Sequence, residues 1–281
     1  MSSNEHMFRL PEAGVNQAYV TVSALQGGHL TLPEALFITN AEPGKRATVP
    51  SLAFLIQHPA NGEKKDTRLV FDLGLKRDSK GYAPAQQHQI SQRQPISVHP
   101  DVADSLRDGG LNPAEDIEEV MVSHVHWDHI GTSSDFPRSK FIVGAGTLHV
   151  LHHGAGPLYP SEIFNKHEFP TERTYELPPT DKYTASIASK QQTEHYWQPL
   201  ANFPTALDYF GDGSLWVIDT PGHITGHVNL LARKAPHQWV YLGGDCCHDT
   251  RILEGESGIA MYDDGRGGKS SEASFRDIDR R

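Results

Sequence analysis

Three imidazoles and a carboxylate fall within six residues at His124-Val125-His126-Trp127-Asp128-His129, directly after the apolar run Ile117–Ser123. Histidines at i and i+2 on the end of a strand project to the same side, so both rings can reach one cation. Past a turn, Asp128 and His129 can face a second cation close by. Imidazole and carboxylate suit Zn²⁺, and also Mn²⁺ or Fe²⁺. The chain has 17 histidines in 281 residues, and at that frequency chance supplies on the order of 0.004 such clusters. The fold must therefore end a buried strand at this point and bring further donors to it.

Two other segments offer such donors. Thr220-Pro221-Gly222-His223-Ile224-Thr225-Gly226-His227 follows the strand pattern LWVID, and Gly222 allows a sharp turn there. His223, nearest the turn, is the preferred ligand, and His227 is read as a support for the loop. Gly243-Gly244-Asp245 follows WVYL. A carboxylate past a buried strand is unfavourable unless it meets a cation, and its two oxygens can bridge two metals roughly 3.5–4 Å apart. The plainer alternative for Asp245 is a helix cap or turn residue.

The remaining pattern is mixed α/β. Strands are expected at Val49–His58, Arg68–Gly74, Lys140–Val143, Leu215–Ile218, Val228–Ala232 and Trp239–Leu242, and helices at 99–110 and Gly146–His153. The chain is read as one domain over 1–253, with a loop-rich insertion or lid over 154–213 and a polar, disordered tail over 254–281. The adjacent Cys246 and Cys247 cannot staple a secreted fold. A net charge of −10 disfavours nucleic acid and anionic membranes as partners, leaving a small-molecule substrate. No apolar signal or spanning segment is visible, so the expected location is cytoplasmic.

HxHxDH, then TPGHxxGH, then GGD, each after a strand, resembles the metallo-β-lactamase superfamily, and within it the N-acyl homoserine lactonase branch and its fungal lactonase and thioesterase relatives. The resemblance spans about residues 48–250. It implies an αββα sandwich of two mixed sheets flanked by helices, with the metals at one edge and a C-terminally shortened form left open. It places His124, His126 and His223 on a first metal, Asp128 and His129 on a second, and Asp245 between them. Two Zn²⁺ per chain are implied by the family, and one is the alternative here. Asp72, in VFDLG, is implied as a partner of the ligand cluster.

Departures from the family shape the functional reading. Asp245 stands where true β-lactamases of the superfamily place a ligand Cys, and His126 where the oxygen-reducing branch has Glu. His248 occupies the place of a lactonase Tyr that polarises the substrate carbonyl; it is read as a hydrogen-bond donor, a metal neighbour or an inert surface residue. The family's last ligand His is missing, since only His248 follows Asp245. The expected activity is opening of a lactone, or a related cyclic ester or lactam, by a metal-bound hydroxide that Asp128 orients and whose proton it later passes to the leaving group. A thioesterase acting on a carrier-bound acyl chain and a non-catalytic metal-binding relative are the alternatives. The aromatic stretch His195–Phe210 is a candidate lid. His149 and His153 are a weaker metal pair, more simply a solvated helix face.

Overall fold

A computed structural model describes residues 9–60, 66–263, 269 and 270. β1 (Thr21–Pro33) and β2 (Arg46–His58) pair antiparallel along their length, and β3 (Thr67–Phe71) extends the sheet antiparallel to β2. From β3 the direction changes: β4 (Glu119–Met121), β5 (Lys140–Val143) and β6 (Thr174–Glu176) add in parallel. Parallel neighbours need crossovers. α1 (Pro84–Ser91) and α2 (Val102–Asp108) lie between β3 and β4, and α3 (Thr147–His153) between β5 and β6. α2 begins at a reciprocal cap between Asp101 and Asp104 and buries Val102, Ala103 and Leu106, the face expected from its spacing.

The second sheet runs in the order β11-β10-β9-β8-β7. It comprises β7 (Gln198–Leu200), β8 (Phe203–Asp208), β9 (Leu215–Asp219), β10 (Val228–Ala235) and β11 (Gln238–Leu242), with α4 (Lys182–Ile187) before it and α5 (Thr250–Leu253) after it. The first sheet is mixed, as expected, whereas the second is antiparallel throughout. Its strands are joined by connections too short for a crossover, and such connections force antiparallel neighbours.

Strand alternation sorts the side chains into layers. Ile56, Leu69, Phe71, Met121 and Ile142 face Leu215, Val217, Val228 and Leu230 between the sheets. On the other side of the first sheet, Val70, Val120, Phe141 and Val143 pack on residues of the helices, including Ile90, Leu106 and Val150. The outer face of the second sheet is closed differently from the helical cover expected. There Trp216, Ile218 and Leu231 pack with Leu10, Phe203 and Trp239. The N-terminal segment holds this edge: Val20 N–H donates to Arg233 O at 3.0 Å. The buried Arg233 guanidinium bonds Pro11 O and lies 4.3 Å over the Trp239 ring.

The sequence pattern missed β1, a long strand bent by a register shift between Gln26 and His29. It also left the 154–213 stretch as loop, where β6, α4, β7 and β8 form. Part of the expected tail is described. Thr39 N–H donates to Gly258 O at 2.8 Å and Ala260 N–H to Phe37 O at 2.9 Å. Tyr262–Asp263 pairs antiparallel with Lys269–Ser270, and residues 264–268 and 271–281 of that tail lie outside the described residues. Among the described residues, no helix is long and apolar enough to cross a membrane.

Asp219 ends β9 at the start of the TPGH loop, where burial raises its pKa from 3.8 to about 6 against a hydrogen bond from Thr180. The folded chain thus holds a proton that the unfolded chain releases across that window, so this residue's contribution to stability falls as pH rises through it. Asp219→Asn is expected to raise the melting temperature at pH 7 by about 2–4 °C, an effect of about 1 kcal/mol. That gain should fade below pH 4, and thermal melts across the range check it; a gain independent of pH contradicts it.

Candidate metal centre

The loops after β3, β4, β9 and β11 meet at one edge of the sandwich. Asp72 follows β3 with φ 63°, a left-handed conformation that Asp tolerates better than most residues. This turn aims its buried carboxylate at the next loop, where it accepts from Ser123 N–H at 2.6 Å, Ser123 Oγ at 2.8 Å and His129 Nδ1 at 2.8 Å. Val228 N–H donates to Ser123 O at 2.9 Å, which ties the start of β10 to the histidine motif. The expectation that Asp72 partners the cluster thus has a concrete form, and Ser123 is a site residue that the spacing argument missed.

The motif loop is pinned from both sides. Ser51 Oγ donates to Asp128 O at 2.5 Å. The buried Tyr82 hydroxyl donates to Trp127 O at 2.9 Å while accepting from Lys76 N–H at 2.6 Å. Neither Ser51 nor Tyr82 carries a sequence signal, because both lie in strands or turns far along the chain.

His124 Nδ1 lies 3.0 Å from Ser123 Oγ, whose proton goes to Asp72. The ring is therefore the Nδ1–H tautomer, and its Nε2 lone pair faces inward. His124 Nε2 and His223 Nε2 each lie 2.9 Å from His126 Nδ1. Both also lie 3.5 Å from Asp245 Oδ2. Burial holds the pKa of His124 and of His223 well below the ordinary histidine value, and that of His126 at about 3. Three neutral imidazoles thus turn basic nitrogens toward one point beside a carboxylate oxygen. A cation is the occupant that satisfies all of them.

The other Asp245 oxygen, Oδ1, lies 3.0 Å from His129 Nε2. His129 gives its Nδ1 proton to Asp72, and against the cost of burial the charges of Asp245, Asp72 and Asp128 hold its pKa well above the ordinary histidine value, so its Nε2 proton faces Asp245 at the place where a cation would displace it. Donor atoms of His124, His126, His223 and Asp245 all lie within 4.8 Å of one another, and so do those of Asp128, His129 and Asp245. These are the six residues singled out from the sequence, and Asp245 belongs to both groups. Burial opposes the Asp245 charge, but His129 and His248 hold its pKa well below the usual carboxylate range. Burial raises Asp128 to about 6.

His227 stays outside both groups. Its Nδ1 donates to Thr220 O at 2.9 Å and its Nε2 accepts from Asp245 N–H at 3.1 Å, so it fixes the loop that carries Asp245. Gly244, at φ +46°, crosses that ring so closely that a Cβ would sit 2.7 Å from His227 Nε2. His248 is not the inert surface residue that was one alternative. Its Nε2 lies 3.1 Å from Asp245 Oδ2, its ring stacks on Phe37 at 5.0 Å, and its side chain is 13% exposed. It joins neither converging group, so the second group has three protein donors among the described residues.

A cavity of about 780 Å³ opens over these residues, walled by Leu30, Leu32, Val49 and Phe54 of the first two strands, Gln86 of α1, and Tyr159. The expected lid at His195–Phe210 is not part of that wall. His195 Nε2 bonds Tyr209 O at 2.9 Å and Trp197 Nε1 bonds Pro178 O at 2.7 Å, within and beside the β7–β8 hairpin. The stretch had looked free because its strands are short. The rings of His149 and His153 stack at 4.2 Å on α3, and no third donor joins them among the described residues.

No family model matches the chain. It is 32% identical over 235 residues to a Penicillium brevicompactum protein named cytochrome P450 monooxygenase mpaDE', covering 81% of this chain and 25% of that protein. It is 30% identical over 183 residues to the gamma-lactamase MBL2 of Gibberella moniliformis, covering 64% and 70%. The solved structure of an N-acyl homoserine lactone hydrolase, with N-hexanoyl-L-homoserine bound at its catalytic metal centre, matches with a TM-score of 0.58 at 16% identity, covering 89% and 84%. This chain spans about a quarter of the length of the first of these relatives.

Asp72→Ala leaves Ser123 N–H and His129 Nδ1–H buried without their acceptor. Loss of about 2–4 kcal/mol is expected, a fall of roughly 5–10 °C in melting temperature. Calorimetry of the variant checks this; an unchanged melting temperature would show that the carboxylate does not organise the loop.

Proposed function

The chain belongs to the metallo-β-lactamase superfamily, and from that premise we propose that it is a zinc-dependent hydrolase that opens a lactone or a related cyclic ester or amide. The observation that carries this reading is the pair of donor groups sharing Asp245 at the base of a cavity of about 780 Å³. His124, His126, His223 and Asp245 would hold one metal, and Asp128, His129 and Asp245 the other. The donor set fits: neutral, buried imidazoles and carboxylates are borderline ligands suited to zinc. When bound, such ions make water acidic near neutral pH and draw charge from a carbonyl.

The chain's own residues supply the rest. Asp128 has the position and the raised pKa for a carboxylate that takes a proton from the attacking water and returns it to the leaving oxygen. His248 lines the cavity with Nε2 bonded to Asp245 at 3.1 Å, and its Nδ1, which has no partner among the described residues, is the ring nitrogen left to donate a hydrogen bond to the substrate carbonyl oxygen. The apolar walls around Leu30, Leu32 and Phe54 would hold a ring-bearing substrate and keep bulk water away. The names of the second relative and of the solved structure, a gamma-lactamase and a lactone hydrolase, support a cyclic substrate.

The test uses zinc-loaded protein with γ- and δ-lactones, a γ-lactam and an acyl thioester, followed by pH-stat. Turnover of a cyclic substrate is expected, with kcat lowered about 100-fold or more in Asp128→Asn. Thioester hydrolysis without lactone or lactam opening would move the assignment to a thioesterase. No turnover of any of them would support a non-catalytic metal-binding protein.

A further inference from the structure

A second group of histidines lies away from the metal centre, on and beside α3. His149 and His153 are one turn apart on that helix, with their rings 4.2 Å apart and 19° from parallel. Side chains at i and i+4 share a helix face. The ring of His152 lies 6.2 Å from that of His153 and 6.3 Å from that of His167. Among the described residues, no carboxylate pairs with any of these four imidazoles, so the patch is not built as an ion-pair face.

The protonation of the stacked pair suits coordination. His153 Nδ1 lies 3.1 Å from His149 O, and a carbonyl can only accept, so Nδ1 carries the proton and Nε2 keeps its lone pair. A bond of this kind fixes the tautomer and the ring orientation of a ligating histidine. Burial and the neighbouring His153 and His152 rings lower the pKa of His149, which leaves that ring neutral near pH 7. The stack and the backbone bond hold both rings together in advance, so little freedom is lost when one ion bridges them.

We propose that His149 and His153 form a second cation site, separate from the centre that shares Asp245, for a late first-row divalent ion: Cu²⁺, Ni²⁺ or Zn²⁺. Imidazole suits all three, and Cu²⁺ binds such donors most tightly. Two positions on the ion are filled by the rings and the others by solvent, which agrees with the lack of a third converging donor among the described residues. The ion would clamp the last turn of α3, where Gly154 N–H donates to Val150 O at 2.8 Å. That turn is the root of the loop in which Ala155 N–H donates to Tyr159 O at 2.8 Å and which lays the Tyr159 ring 4.5 Å from that of His126. The site therefore braces one wall of the cavity from outside it.

The experiment titrates zinc-loaded protein, its main centre already filled, with Cu²⁺–iminodiacetate. The chelator takes part of the copper's coordination sphere and leaves adjacent positions for protein donors. Electron paramagnetic resonance is expected to show about one copper per chain, coupled to two imidazole nitrogens, and mass-detected hydrogen exchange should slow at the Gly154 amide. His149→Ala and His153→Ala should each weaken binding about 100-fold, because the second donor then no longer acts intramolecularly. Alanine is the best helix former, and His153→Gln, which keeps a polar side chain without an imidazole, should show the same loss. His152→Ala and His167→Ala should bind as wild type does. Absence of binding, coupling to a single nitrogen, binding that survives loss of His149 or His153, or binding lost with His152 or His167 overturns the proposal.

Discussion

Asp245 sits between two sets of imidazole nitrogens, with Oδ2 toward His124 and His223 and Oδ1 toward His129. The inward nitrogens of His124 and His223, held neutral by burial, and the carboxylate oxygen beside them repel one another unless positive charge lies among them. The fold nevertheless fixes all of them rigidly. His129 and Ser123 are held by Asp72, His124 by Ser123, and the Asp245 loop by His227. The bonds to His124 and His129 also fix a proton on Nδ1, which turns Nε2 of each ring toward the place of a cation. The polar network is therefore arranged around the space where the lone pairs converge.

The two-sheet scaffold makes that convergence possible. The carboxyl ends of β3, β4, β9 and β11 open on the same edge, and the contact from Val228 to Ser123 joins the second sheet to the first at the centre itself. Displacing either sheet would separate His223 and Asp245 from the histidine motif. The hydrophobic layer of Phe71, Met121, Val217 and Leu230 between the sheets thus controls ligand spacing as well as stability. Close backbone crossings, such as Gly244 over His227, set the spacing more finely.

Much of the centre was legible in the sequence because its chemistry is local. His124, His126, Asp128 and His129 follow one strand, and His223 and Asp245 each sit just past another. Asp72, within VFDLG, was reached only through the family resemblance. What could not be read were contacts made by residues whose types carry no chemical signature. Ser51 and Tyr82 brace the motif through hydroxyls contributed from β2 and the turn before α1. The aromatic stretch misled for the opposite reason: its rings suggest a binding surface, but its backbone is consumed in the second sheet. β1 escaped notice because its exposed residues interrupt the apolar pattern, and pairing with β2 rather than burial defines it.

The most direct measurement is anomalous X-ray scattering at the zinc edge from crystals of the zinc-loaded protein. Two peaks are expected, separated by roughly 3.5–4 Å. One should be bounded by His124, His126 and His223, the other by Asp128 and His129, with Asp245 reaching both. Anomalous peaks elsewhere, or none between these side chains, would contradict the assignment of this cluster as a shared two-metal site.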